Sequence, residues 1–80
     1  MMVNLNDIKS ILENSNLRRI NVTNLLTDIP LVEQGLDSLD MFNVFLNVEE
    51  KYNIKIEDND FDVLKTINDI VAFIDNRANL

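Results

Sequence analysis

Between Ser38 and Tyr52 the chain runs without glycine or proline, and its apolar residues recur at helical spacing on two adjoining stripes. Met41, Val44, Phe45, Val48 and Tyr52 form one stripe, and Leu39, Phe42 and Leu46 the second. The polar positions Asp40, Asn43, Asn47, Glu50 and Lys51 occupy only about a third of the circumference at 3.6 residues per turn. A surface helix needs an apolar arc of about 100° to face its core, and this one has roughly twice that. The surplus stripe therefore calls for a ligand or a partner. Asp37 is the expected N-cap and Asp40 its partner three residues on, a pair that suits the positive end of the helix dipole. Ser38 is thereby left free of capping duty at the tip of the helix.

Two further helices follow from the same spacing. Asn6 is expected to cap a first helix with Ile8, Ile11 and Leu12 on one face, ending near Asn14 to Asn16. Thr66 and Asp69 form a capping pair for a last helix, in which Ile67, Ile70, Val71, Ile74 and Ala78 share a face. Between Ile54-x-Ile56 and that helix, Asn59-Asp60 is expected to cap a short turn containing Phe61 and Leu64. The stretch from Leu17 to Asp37 reads as connection, with Thr23 to Leu26 as a possible helical turn and a break at Thr27-Asp28-Ile29-Pro30. Its length is unusual for a compact domain and points either to function or to an element not recognised within it. Ile29, Leu31, Val32 and Leu36 are apolar enough to pin it to the core.

Eighty residues make one expected domain, residues 1–80, with room for one modest core because a chain this short buries only about 60% of its unfolded surface. With no histidine and no cysteine, the common routes to an activated nucleophile, a zinc site and a disulfide framework are closed. No basic leader or long apolar run is seen, the longest being Ile70 to Ile74, so neither export nor a membrane span is expected. A cytoplasmic monomer is the expectation. Asp58, Asp60, Asp62 and Asp69 superficially mimic a calcium-binding loop. Val63 stands where that loop needs glycine and Asp69 where it needs the longer glutamate, so these are read as capping residues and no metal site is expected.

The net charge of −7 is concentrated in the middle. From Asp28 to Asp62 ten acidic residues face only Lys51 and Lys55, giving −8. Such a field repels nucleic acid and anionic lipid and attracts basic protein surfaces, besides keeping a small protein soluble.

The run from Thr27 to Asp40, centred on Gly35-Leu36-Asp37-Ser38-Leu39-Asp40, resembles the acyl carrier protein family, and the likeness extends from about Ile8 to Ile74. The acidic close of the second helix, Glu49-Glu50-Lys51-Tyr52, and the Ile54-x-Ile56 that follows belong to the same pattern. The resemblance implies an all-α, four-helix bundle with a long loop between helices 1 and 2 and a short third helix. It also implies a carrier, not an enzyme, with 4′-phosphopantetheine from coenzyme A joined covalently to Ser38 by a phosphopantetheinyl transferase. Acyl groups would travel on that arm as thioesters. The partners implied are acyl-loading, condensing and other acyl-processing enzymes with basic docking surfaces. The residues expected to meet them are Asp37, Leu39, Asp40, Phe42, Leu46, Glu49, Glu50 and Ile56.

Alternatives stand beside each of these readings. Ser38 can be a plain first-turn serine, Phe42 a core residue, and Glu49 and Glu50 a solvated face. At Asn43 many fatty-acid carriers have a glutamate, and Phe42 and Phe45 are bulkier than the aliphatics common there, so fatty-acid and specialised, polyketide-like pathways are both open. An aminoacyl carrier and an interaction domain that is never pantetheinylated are the other classes.

Overall fold

A computed structural model describes residues 3–15, 17 and 20–78. Its α-helices are α1 (Leu5–Glu13), α2 (Ser38–Tyr52) and α3 (Ile67–Ala78), and among the described residues there is no strand. Three short 3-10 turns, Val22–Asn24, Leu31–Gln34 and Asp58–Asp62, punctuate the connections. Among the described residues the fold is thus all-helical, but with three α-helices where a bundle of four was expected. The short third helix is replaced by the turn Asp58–Asp62. Five residues rich in aspartate do not repay the cost of nucleating an α-helix, and the tighter 3-10 form serves short pieces.

The N-cap of α1 is Asn4, not Asn6. Asn4 Oδ1 accepts from the Asp7 N–H at 2.9 Å, and Asp7 Oδ2 accepts from the Asn4 N–H at 3.1 Å. Asn6 has Lys9 three residues on, which carries no acceptor to return the bond, so the reciprocal pair selects Asn4. Ile8, Ile11 and Leu12 are buried as expected, and Asn14 closes the helix. Asn16, within the expected end of this helix, and Arg18 and Arg19 lie outside the described residues.

α2 has the expected limits and caps. Asp37 Oδ1 accepts from the Asp40 N–H at 2.8 Å and Asp40 Oδ2 from the Asp37 N–H at 3.1 Å. Asn53 ends the helix in the left-handed region, φ 53°, which asparagine tolerates better than most residues. Met41, Val44, Phe45 and Val48 turn into the core. α3 starts on the expected pair, with Thr66 Oγ1 accepting from Asp69 N–H and Asp69 Oδ2 from Thr66 N–H, both at 3.0 Å. It buries Ile67, Ile70 and Ile74, with Val71 half-buried, while the side chain of Ala78 lies outside the described residues. The cap of the Asp58–Asp62 turn is Glu57 in place of Asn59-Asp60, its N–H donating to Asp60 Oδ2 at 2.9 Å.

α1 packs on both α2 and α3. Ile8 and Leu12, Val44 and Val48, and Ile67 and Ile74 meet in one core, each side chain worth about 1.5–3 kcal/mol of burial. The long connection joins that core through Leu17, Val22, Leu25, Leu31 and Leu36. Val32, expected among the pins, is 57% exposed and Ile29 only half-buried. In a 3-10 turn residues three apart eclipse, so Leu31 and Gln34 share the inward side and Val32 is turned out. Gln34 ties the connection to itself, accepting at Oε1 from Leu26 N–H (2.7 Å) and donating through Nε2 to the carbonyls of Leu26 and Ile29 (both 2.9 Å). Leu31 N–H donates to the Lys65 carbonyl at 2.8 Å, and Asn68 N–H to the Thr27 carbonyl at 3.0 Å, so the loop is anchored at the head of α3. Gly35 then turns the chain into α2 at φ +109°, with Ile20 Cδ1 only 3.0 Å from where a Cβ would stand.

Candidate functional site

The chain has three serines, and their settings differ. Ser15 is buried, its hydroxyl donating to the Ile11 carbonyl at 2.6 Å and accepting from Asn47 Nδ2 at 2.7 Å. Ser10 is exposed in the body of α1. Ser38 is exposed as the first residue of α2, directly after the capping Asp37. The first amides of a helix have no partner within it, and Asp37 takes up that of Asp40, so the corner beside Ser38 keeps the N-terminal, positive end of the dipole. A phosphoryl group on this hydroxyl would sit where such a helix end favours it.

Ser38 also borders a cleft of about 310 Å³ between α2 and the Asp58–Asp62 turn. Its apolar walls are Val32, Met41, Phe42, Phe45, Phe61 and Leu64, with Lys65 as its charged member. Phe45 and Phe61 stack across it, ring centroids 5.2 Å apart and planes 17° from parallel. The cleft was absent from the sequence reading. Part of it was visible there, because Ser38, Met41, Phe42 and Phe45 are spaced by three, one and three residues and so share a helix face. Phe61, from the Asp58–Asp62 turn, and Lys65, from the segment that leads into α3, complete it and carried no local signal.

The second apolar stripe of α2 faces outward, with Leu39 66%, Phe42 49% and Leu46 40% exposed. Phe42 is therefore not a core residue. Asp37 and Glu50 are exposed and Asp40 is half-buried, flanking that stripe. Glu49 is half-buried, and its Oε2 accepts from the Ile56 N–H at 2.8 Å, which gives the carboxylate a structural task. Ile56, expected at the partner-facing surface, is instead 7% exposed and belongs to the core, because this bond folds the chain after α2 back under the helix. Asn47, assigned to the polar arc, turns partly inward to Ser15.

Two of the four aspartates that mimic a calcium loop are engaged elsewhere, and Asp58 and Asp62 are exposed. Asp60 caps the 3-10 turn and lies 3.6 Å from Arg77, and Asp69 caps α3. Among the described residues no three carboxylates gather, and no helix is long and apolar enough to cross a membrane.

A family model described as the phosphopantetheine attachment site matches residues 15–74. An acyl carrier protein of an Exiguobacterium species is 40% identical over 43 residues, 54% of this chain and 54% of the relative. That of Kineococcus radiotolerans is 38% identical over 58 residues, 65% of this chain and 72% of the relative. That of Campylobacter jejuni is 45% identical over 42 residues, 52% and 54% respectively. The chain thus spans about half the length of most of these relatives and nearly three quarters of one. The matched stretch contains the exposed Ser38 at the head of α2, and the chain belongs to the acyl carrier protein family.

Proposed function

We propose that Ser38 receives 4′-phosphopantetheine from coenzyme A through a phosphopantetheinyl transferase, and that the chain carries acyl intermediates to the enzymes that process them. The observation that supports this most is the exposed Ser38 at the dipole-favoured head of α2, on the rim of an apolar cleft. When bound, the group supplies the thiol that a cysteine-free chain lacks, on which acyl groups are held as thioesters. The chain's own residues hold the attachment corner. Asp37 and Asp40 fix the first turn by their reciprocal bonds, and Gly35 aims the incoming chain. On this reading residues 1–80 form one carrier domain, and the Asp58–Asp62 turn stands in for the family's short third helix.

Leu39, Phe42 and Leu46 would meet the apolar centre of a partner surface, with Asp37, Asp40 and Glu50 pairing to basic residues at its rim. Glu49 contributes charge there while it holds Ile56. Incubating the apo chain with coenzyme A and a promiscuous transferase tests the central step. One phosphopantetheine should be gained by the wild type and none by Ser38→Ala, and an unmodified wild type would contradict the reading.

Asn43 leaves α2 uncharged where many fatty-acid carriers have a glutamate, which favours a carrier with restricted partners in a specialised pathway. Charging assays with general fatty-acid enzymes check this, and efficient turnover by them would remove the reason for it.

A further inference from the structure

Seven residues share the cleft with Ser38, and six of them are apolar. The seventh, Lys65, is a charge placed against hydrophobic walls, and its backbone is fixed on both sides. Its N–H donates to Asp69 Oδ2 at 3.1 Å and its carbonyl accepts from Leu31 N–H at 2.8 Å, so the residue is held where the long connection meets the head of α3. Its side chain makes no ion pair among the described residues, whereas Arg77 pairs with Asp60 and stacks over Phe73, and Lys51 lies 5.9 Å from the ring centre of Tyr52.

The neighbourhood is otherwise acidic. Ser38 lies between Asp37 and Asp40 in the segment that carries −8, and a phosphodiester on it adds a further permanent negative charge. We propose that Lys65 is a positioning residue whose ammonium pairs with the phosphodiester attached to Ser38 and directs the arm along the cleft. This rests on Ser38 as the attachment residue. A lysine suits the task because its long stem covers the apolar wall while the ammonium reaches the mouth, and its point charge accepts a phosphate from a range of directions. Lys65, Val32, Phe42 and Phe61 are all exposed, so the pairing lies at an open surface and is screened by salt.

The test compares wild type, Lys65→Gln and Lys65→Arg, each apo and loaded by a transferase with coenzyme A. Loading is read by mass, the phosphodiester by its ³¹P resonance, and stability by melting at low and at high salt. The expected results are a displaced ³¹P resonance in loaded Lys65→Gln and restoration by arginine. The melting temperature of the loaded form should fall about 2 °C further than that of the apo form. The difference should fade at high salt, and the wild-type ³¹P resonance should move with salt in the same direction. Equal loaded-minus-apo differences in wild type and Lys65→Gln, with an unmoved resonance, would overturn the assignment of Lys65 alone. A wild type that gains no mass would overturn the carrier reading and this inference with it.

Discussion

Asn47 Nδ2 donates to the buried Ser15 hydroxyl at 2.7 Å, and Ser15 in turn donates to the Ile11 carbonyl at 2.6 Å. The Ile11 carbonyl also accepts from the Asn14 N–H at 3.1 Å, so the relay adds a second donor to it and ties the end of α1 to the middle of α2. Asn47→Ala should lower stability by about 1–2 kcal/mol, and adding Ser15→Ala should cost less than Ser15→Ala costs alone. A double-mutant cycle by urea denaturation checks both, and strictly additive losses would contradict the relay.

Gln34 is the second polar tie. Its side chain makes three bonds to the backbone at Leu26 and Ile29. Gln34→Glu keeps the acceptor for Leu26 N–H but places a second oxygen against two carbonyls, so it should destabilise by roughly 1–3 kcal/mol, most at pH values where the carboxyl is ionised. Hydrogen exchange at the Leu26 amide should accelerate in Gln34→Ala. Unchanged protection there would show that the connection is held by its apolar pins alone.

Tyr52 joins a half-buried ring to a buried hydroxyl with no hydrogen-bond partner among the described residues. Burial, and then the charges of Asp7 and Asp75, push its ionisation above the usual value of 10.0. The folded state thus keeps the proton after the unfolded chain has lost it. The stabilising difference is complete below pH 10.0 and disappears as pH rises from there through the folded-state value. Tyr52→Phe should be as stable as wild type or slightly more so at pH 7, and should lose the alkaline decline attributable to this group. Melting from pH 7 to pH 11 checks this, and a loss above about 1 kcal/mol at pH 7 would mean the hydroxyl is bonded.

The elements that were legible in the sequence are those encoded within a few residues. Asp37 with Asp40, and Thr66 with Asp69, marked the heads of α2 and α3 because a capping pair is a local pattern read together with apolar periodicity. Ser38 was legible for the same reason, since its exposure follows from standing just inside a capped helix. Asn4 was missed in favour of Asn6 although the same rule distinguishes them, as only Asn4 has an acceptor three residues on. What was not legible joins residues far apart in the chain. Asn47 to Ser15 spans 32 positions, and the cleft needs Phe61 and Lys65 brought across to α2. The inward turn of Ile56 depends likewise on a glutamate seven residues earlier, which the acidic pattern of α2 presented as surface.

The most direct test of the account is to load the apo chain with a transferase and coenzyme A, digest it, and locate the added group by fragment mass spectrometry. The account predicts one phosphopantetheine on the peptide containing Ser38, with Ser10 and Ser15 bare. A group on either of those serines, or none on any, would contradict it.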